Sequence, residues 1–191
     1  MLAARELAPH PDGPLLVVGA GTQGRSHLEA FREGFGVSEV FIYSRTTESS
    51  AALAEHAVGL GMDAVVVPRP EDALVAVTLL VTATTSREPV LPEGVRGDAF
   101  VAAGGSFEPE AAELPPAMIS RSTVVVDTTE GAREEAGDLI QAEEAGAFSW
   151  RNATQLEDAL RASERLEGPV VFKSVGHALW DLAAARTAVA D

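Results

Sequence analysis

Apolar residues gather along the chain in short uninterrupted runs, and between the runs they recur at helical spacing. Leu15-Leu16-Val17-Val18 is the first run. Nothing polar alternates with it, so it predicts a strand buried on both faces. A glycine turn follows from Gly19 to Gly24, and Ser26 to Glu33 then shows a helical pattern with Leu28, Ala30 and Phe31 apolar. Val40-Phe41-Ile42-Tyr43 predicts a second strand, and the alanine-rich stretch from Thr47 to Val58, closed by Gly59, a helix. Ala64 to Val67 predicts a third strand, Thr78 to Val81 a fourth, Ala99 to Ala102 a fifth and Thr123 to Val126 a sixth, with a short helical stretch at Glu71 to Ala76.

Strands alternating with helices in this way predict an α/β fold with one parallel sheet covered on both sides. With a glycine turn after the first strand, the expected class is the doubly wound parallel sheet, the Rossmann fold, in the order 3-2-1-4-5-6. The last third reads differently. Glu130 to Ala145 is acidic and helical, Leu156 to Leu166 is helical, Val170-Val171-Phe172 is strand-like, and Ala178 to Ala190 predicts a terminal helix. This segment is expected as a C-terminal appendage that need not join the sheet.

The length of 191 residues suits one domain with or without an appendage, and 46% apolar residues are enough for a core. No apolar run approaches the roughly 18–20 residues of a membrane span. The opening MLAARELAPHPDG has no positive head followed by an apolar stretch, so it is not a secretory signal. It reads as the end of a short helix broken by Pro9 and Pro11. There is no cysteine. That removes disulfides, zinc–thiolate sites and thiol nucleophiles together, and it fits a cytoplasmic protein. Four scattered histidines show no ligand spacing, so no metal is expected. The net charge of −15, with no basic cluster to reverse it locally, predicts neither nucleic acid nor membrane as a partner.

The motif with most chemical content is Gly19-Ala20-Gly21-Thr22-Gln23-Gly24, a GxGxxG directly after a buried strand and directly before a helix. Gly19 permits the tight turn, Gly21 lets the backbone approach a pyrophosphate, and Gly24 lets helix and strand pack closely. Free N–H groups at the helix start then receive the anion, which predicts a dinucleotide as ligand. The second strand ends at Tyr43. An NAD site usually carries an acidic residue there to bond the ribose hydroxyls. Here Ser44-Arg45-Thr46 follows, and no carboxylate appears before Glu48. A guanidinium between hydroxyls suits a 2′-phosphate. NADP is therefore expected as cofactor ahead of NAD. The other reading of Arg45 is a surface arginine, with Ser44-Arg45 opening a helix; both can hold, since Thr46 or Thr47 can serve as the N-cap. Thr82, Thr84 and Ser86 stand at the carboxyl edge of the sheet. Their hydroxyls read either as ribose and phosphate contacts or as local turn chemistry.

The segments VVGAGTQGRSHLEAF, YSRT, VTATTSREPVL, VAAGGSFEPEAAELP, VVVDTTEGAREEAGDL and FKSVGHALWDLAAA follow one another from about Leu15 to Ala185. In type and order this set resembles the ornithine cyclodeaminase/mu-crystallin family. The family includes ornithine cyclodeaminases, alanine dehydrogenases and reductases of cyclic imino acids such as pyrroline-2-carboxylate. They use NAD or NADP, and most are homodimers. The resemblance implies that residues 13–168 are the dinucleotide-binding domain and that 1–12 are the remnant of an inter-domain helix. Residues 169–191 would be a strand and helix that pack on an N-terminal substrate and dimerisation domain, largely missing here. Cyclodeaminases of the family have an aspartate after the glycine pair that ends the fifth strand. Here Gly104-Gly105 is followed by Ser106. Serine there resembles the imine-reductase and mu-crystallin branch, so reduction of a cyclic imino acid is expected ahead of cyclodeamination of ornithine.

The resemblance also implies catalytic positions at Ser106, Lys173, His177 and Asp181. Lys173 opens the family's KSVG segment, which approaches the nicotinamide; an exposed strand-end lysine is the other reading. His177 and Asp181 are four apart and share a face if helical, as a substrate-side pair or a surface pair. Asp127 reads as a cap for the helix after the sixth strand, and His27 as structural. Two further readings of the chain stand beside the enzyme. One is a non-catalytic nucleotide-binding or regulatory module whose bare alanine-rich ends, Met1 to Ala8 and Ala178 to Ala190, drive self-association. The other is a fragment without function.

Overall fold

In a computed structural model, which describes residues 1–162 and 166–189, the chain forms one eight-stranded sheet in which every pairing is parallel. The strands are β1 (Leu15–Val18), β2 (Glu39–Tyr43), β3 (Asp63–Val66), β4 (Leu79–Thr82), β5 (Phe100–Ala103), β6 (Thr123–Val126), β7 (Ala153–Gln155) and β8 (Val170–Lys173). The helices are α1 (Leu2–Leu7), α2 (Thr22–Phe35), α3 (Thr47–Gly59), α4 (Pro116–Ile119), α5 (Thr129–Glu135), α6 (Gly137–Glu144), α7 (Leu156–Ala162) and α8 (Ala178–Ala188).

The doubly wound class is as the pattern predicts, and so is the order β3-β2-β1-β4-β5. Beyond β5 the order is β8-β6-β7. The strand at Val170 is therefore no appendage: Val170 pairs with Phe100 of β5 on one side and with Thr123 of β6 on the other. A run as apolar as Val170-Val171-Phe172 is most stable with a strand on each side and a covered face above and below. Position in the chain had hidden that partner set. β7, too short and polar to signal itself, adds the outer edge beside β6. At the other edge β3 is largely exposed, with Val65 at 45% and Val66 at 38% of full accessibility.

Alternate residues of each strand feed opposite faces. Leu16, Val18, Leu80, Val101, Val124 and Val126 pack under Met118, Ile119, Leu139 and Trp150. Leu15, Val17, Val40, Ile42, Leu79 and Val81 pack under Leu28, Phe31 and Leu53. Ala3, Ala4 and Leu7 of α1 join this second layer, so the N-terminal helix is seated rather than bare. α8 is the opposite case: none of its residues is buried.

The helical stretch read from Glu130 to Ala145 is two helices, broken at Ala136 (φ −80°, ψ 81°). Gly137 abuts the backbone carbonyls of Glu108, Pro109 and Ala111, where a β-carbon would overlap. The break turns Asp138, in the first turn of α6, into the interior. The helices read from Leu156 and Ala178 extend into 163–165 and 190, which lie outside the described residues.

Candidate functional site

Because all strands run parallel, their exit loops collect at one edge of the sheet, where ligands bind in such folds. The loops after β1, β2 and β4 enclose a cleft of about 450 Å³ there. Gly19, Ala20 and Gly21 form its floor, Ser44 and Arg45 one wall, and Thr84 to Ser86 the other.

The glycine turn has the backbone the motif calls for. Gly19 sits at φ +106°, and its N–H donates to Tyr43 O at 2.9 Å, tying the turn to the end of β2. A side chain there would be strained by φ and would strike Ala83 O. A β-carbon on Gly24 would overlap Gly19 O, so the helix is packed onto the turn as tightly as backbone allows. Gly21 differs: nothing stands within 4 Å of where its β-carbon would be. Its absent side chain keeps space open rather than relieving a clash. The first intrahelical bond of α2 runs from Arg25 N to Gly21 O, and no side chain caps the helix. The N–H groups of Thr22, Gln23 and Gly24 are thus left for an external acceptor. Thr22 and Gln23 present these backbone groups at the start of α2, and neither is among the residues that line the cleft.

On the opposite wall, Arg45 is exposed and lines the cleft. Ser44 lines it too, with its hydroxyl donating to Thr46 O (2.9 Å) and accepting from Ser50 (3.1 Å). Thr46, not Thr47, is the N-cap of α3: its Oγ1 accepts from Ser49 N at 3.3 Å and donates to Ser49 Oγ at 2.7 Å. Thr46 is therefore committed to the helix and lies outside the cleft lining.

Thr82 is corrected as a ligand contact. It is fully buried, and its hydroxyl donates to Glu113 Oε2 at 2.9 Å. Thr84 does line the cleft, yet its N–H (2.7 Å) and hydroxyl (2.8 Å) also turn inward, both to Glu113 Oε1. Ser86 lines the cleft and closes its own turn through Glu88.

Ser106 and Lys173 come together, but inside the protein. The Lys173 side chain has no exposed surface, which removes the reading of a strand-end surface lysine. Its ammonium lies 2.9 Å from Asp138 Oδ2 and donates to Ser106 O and Ser106 Oγ, each at 2.6 Å. Ser106, 1% accessible, also donates its hydroxyl to Asp138. Both groups are thus satisfied by protein, and in this arrangement neither reaches the cleft. His177 is the N-cap of α8, with Nδ1 accepting from Leu179 N at 3.1 Å, so it and Asp181 do not form the helical pair expected. Neither lines the cleft. Asp127 is not the cap of α5, a place taken by Thr128. Its Oδ2 instead accepts from Ser174 Oγ and from the N–H groups of Val175 and Gly176 at 2.8–3.1 Å, fixing the exit of β8.

Among the described residues no group of three or more His, Asp or Glu gathers to hold a metal, and no helix is long and apolar enough to cross a membrane.

The model of the ornithine cyclodeaminase/mu-crystallin family matches residues 1–191. The chain belongs to this family. The chain is 39% identical over 175 residues to the Delta(1)-pyrroline-2-carboxylate/Delta(1)-piperideine-2-carboxylate reductase of Azospirillum brasilense, a match covering 91% of this chain and 54% of that protein. It is 31% identical to the ketimine reductase mu-crystallin of Macropus fuliginosus, covering 97% of this chain and 57% of that protein. Among solved structures, the Thermococcus litoralis Delta(1)-pyrroline-2-carboxylate reductase in complex with NADH and L-proline superposes with a TM-score of 0.84 at 27% identity, over 92% of this chain and 56% of that one. The chain thus spans little more than half the length of the relatives it matches.

Within this family member, two residues that the motifs did not single out organise the site: Glu113 and Asp138, with 0% and 1% accessibility. Each carried a signal. Glu113 interrupts the apolar run Ala111-Ala112-Leu114, and Asp138 falls on the face of α6 that also carries Leu139 and Ala142. An acidic residue on a buried stripe needs partners; which partners is a tertiary matter.

Proposed function

We propose that the chain forms the NADP-binding part of an oxidoreductase that reduces a cyclic imino acid to the corresponding amino acid. The observation that carries the reading is the cleft itself, with uncapped α2 N–H groups on its floor and Arg45 on its wall. The open space over Gly21 fits the approach of a pyrophosphate, and the guanidinium fits a 2′-phosphate. The names of the relatives supply the substrate class. Bound there, a nicotinamide dinucleotide supplies the hydride for the C=N carbon. The residues of this chain bind and orient it: the glycine turn holds the diphosphate, Arg45 selects the phosphorylated ribose, and the Thr84–Ser86 wall confines the other side. Parallel calorimetric titrations with NADPH and NADH test this. Tighter binding of NADPH is expected; equal affinities would refute the role of Arg45, and no binding of either would refute the site.

A second reading is favoured by one specific observation. Ser106 and Lys173 are consumed by internal contacts, and His177 and Asp181 stand away from the cleft. A nucleotide-binding module without chemistry of its own would look the same. Consumption of NADPH by the chain in the presence of pyrroline-2-carboxylate decides between the two. We further propose self-association through α8, where Leu179, Trp180 and Leu182 are 64%, 43% and 56% exposed. A concentration-independent monomer in light scattering would refute it.

A further inference from the structure

We propose that Glu113 is the positioning residue of the cleft, holding both ends of the loop that forms its outer wall. The proposal rests on the cleft being a dinucleotide site. The loop in question leaves β4 and runs from Thr84 to Val90, and both of these residues line the cleft. At its start, the Thr84 N–H and hydroxyl donate to Glu113 Oε1 at 2.7 and 2.8 Å. At its end, the N–H of Val90 donates to the Glu113 carbonyl at 2.8 Å. The other carboxylate oxygen, Oε2, accepts from Thr82 Oγ1 (2.9 Å) and from Gly105 N (2.8 Å). One residue thereby fastens the exits of β4 and β5 and closes the loop between 84 and 90.

The arrangement leaves little freedom. Gly105 lies so close to Thr84 and to the Glu113 carboxylate that a β-carbon on it would overlap both. Glu113 is itself fixed from behind. Its N–H and that of Leu114 donate to Asp138 Oδ1 at 2.5 and 2.8 Å, and Asp138 is anchored to Lys173 at the end of β8. The wall of the cleft is therefore tied through Glu113 and Asp138 to a central strand. A rigid second layer of this kind keeps ligand-facing groups in place before the ligand arrives. Glutamine is the informative replacement. Each carboxylate oxygen accepts one backbone N–H, so either orientation of the amide aims an NH₂ at a donor.

The test uses the full chain with NADPH as probe, read by calorimetric titration, and amide hydrogen exchange at Thr84 and Gly105. Glu113→Gln should weaken binding about tenfold and speed exchange at both amides. Thr82→Val removes one donor to Glu113 from a side chain that does not touch the cleft, and should weaken binding by roughly threefold. Val125→Ala, a buried change on β6, should lower the melting temperature with affinity unchanged. Wild-type affinity and exchange in a folded Glu113→Gln overturn the proposal, as does an equal loss of affinity in Val125→Ala. If Glu113→Gln does not fold, Thr82→Val decides by the same two readouts. If the unaltered chain binds no dinucleotide, the functional reading fails, and exchange at Thr84 and Gly105 still decides whether Glu113 holds the wall.

Discussion

Removing either member of the buried Lys173–Asp138 pair should destabilise the fold more than any surface change. The two side chains have no exposed surface and lie 2.9 Å apart. Asp138→Asn keeps the shape and leaves an oxygen for the N–H groups of Glu113 and Leu114, but it strands an ammonium whose remaining partners are the carbonyl and hydroxyl of Ser106. Lys173→Met strands the carboxylate instead. An uncompensated buried charge costs about 3–5 kcal/mol, against a total stability of about 5–15 kcal/mol for a domain. At roughly 2–4 °C per kcal/mol for a chain of this size, each single variant should melt about 6–20 °C lower. The double variant has no buried charge to compensate and retains the acceptor for both N–H groups. It should therefore lose less than the sum of the singles, with a coupling of about 2–3 kcal/mol. Urea unfolding of the four proteins measures this directly. Additive losses, or single-variant losses below about 1 kcal/mol, would refute the claim that the two charges are held for one another.

The second and third glycines of the turn should separate stability from binding. Gly24→Ala forces a β-carbon onto Gly19 O and should cost roughly 1–3 kcal/mol in thermal unfolding. Gly21→Ala meets no protein atom at φ −82°, so it should leave stability within about 0.5 kcal/mol while weakening dinucleotide binding in titration. Arg45→Ala should weaken NADPH by about 1.5–3 kcal/mol, roughly 10-fold to 150-fold, and leave NADH unchanged. Asp98 should titrate at about 2 instead of 3.8, because Arg96 bonds both its oxygens at 2.8 Å. The depressed value places its small contribution, below about 1 kcal/mol at this partly exposed site, above the ordinary carboxylate range. That contribution is lost as pH falls from 3.8 towards 2. An NMR titration should find Asp98 back near the ordinary carboxylate value in Arg96→Ala.

Local features of the chain were legible because their causes are local. The six apolar runs from Leu15 to Val126 are strands; β1 and β4, at the middle of the sheet, are covered on both faces as their uninterrupted apolar residues predict, whereas β3 at the edge stays largely exposed. Gly19 and Gly24 are required by a turn and a helix contact within six residues, so the motif reports its own geometry. Arg45 and Ser44 follow from the end of β2 in the same way.

What only the tertiary structure decided are matters of distant partners. An apolar strand at Val170 states that it needs neighbours but not which, and the sheet places it between β5 and β6. That placement brings Lys173 against Ser106, 67 residues away, and buries in an ion pair with Asp138 a lysine that the sequence offered as approaching a nicotinamide or as an exposed strand end. Thr82 and Thr84, equal as hydroxyls in the sequence, are separated by which face of the strand exit they occupy: one is sealed beneath Glu113 and the other borders the cleft. The burial of Glu113 and Asp138 follows from the same cause. A carboxylate is stable away from water only where several donors converge on it. Here those donors come from Thr82, Thr84, Gly105 and Ser106 and from the Glu113–Leu114 backbone, which chain folding alone brings together.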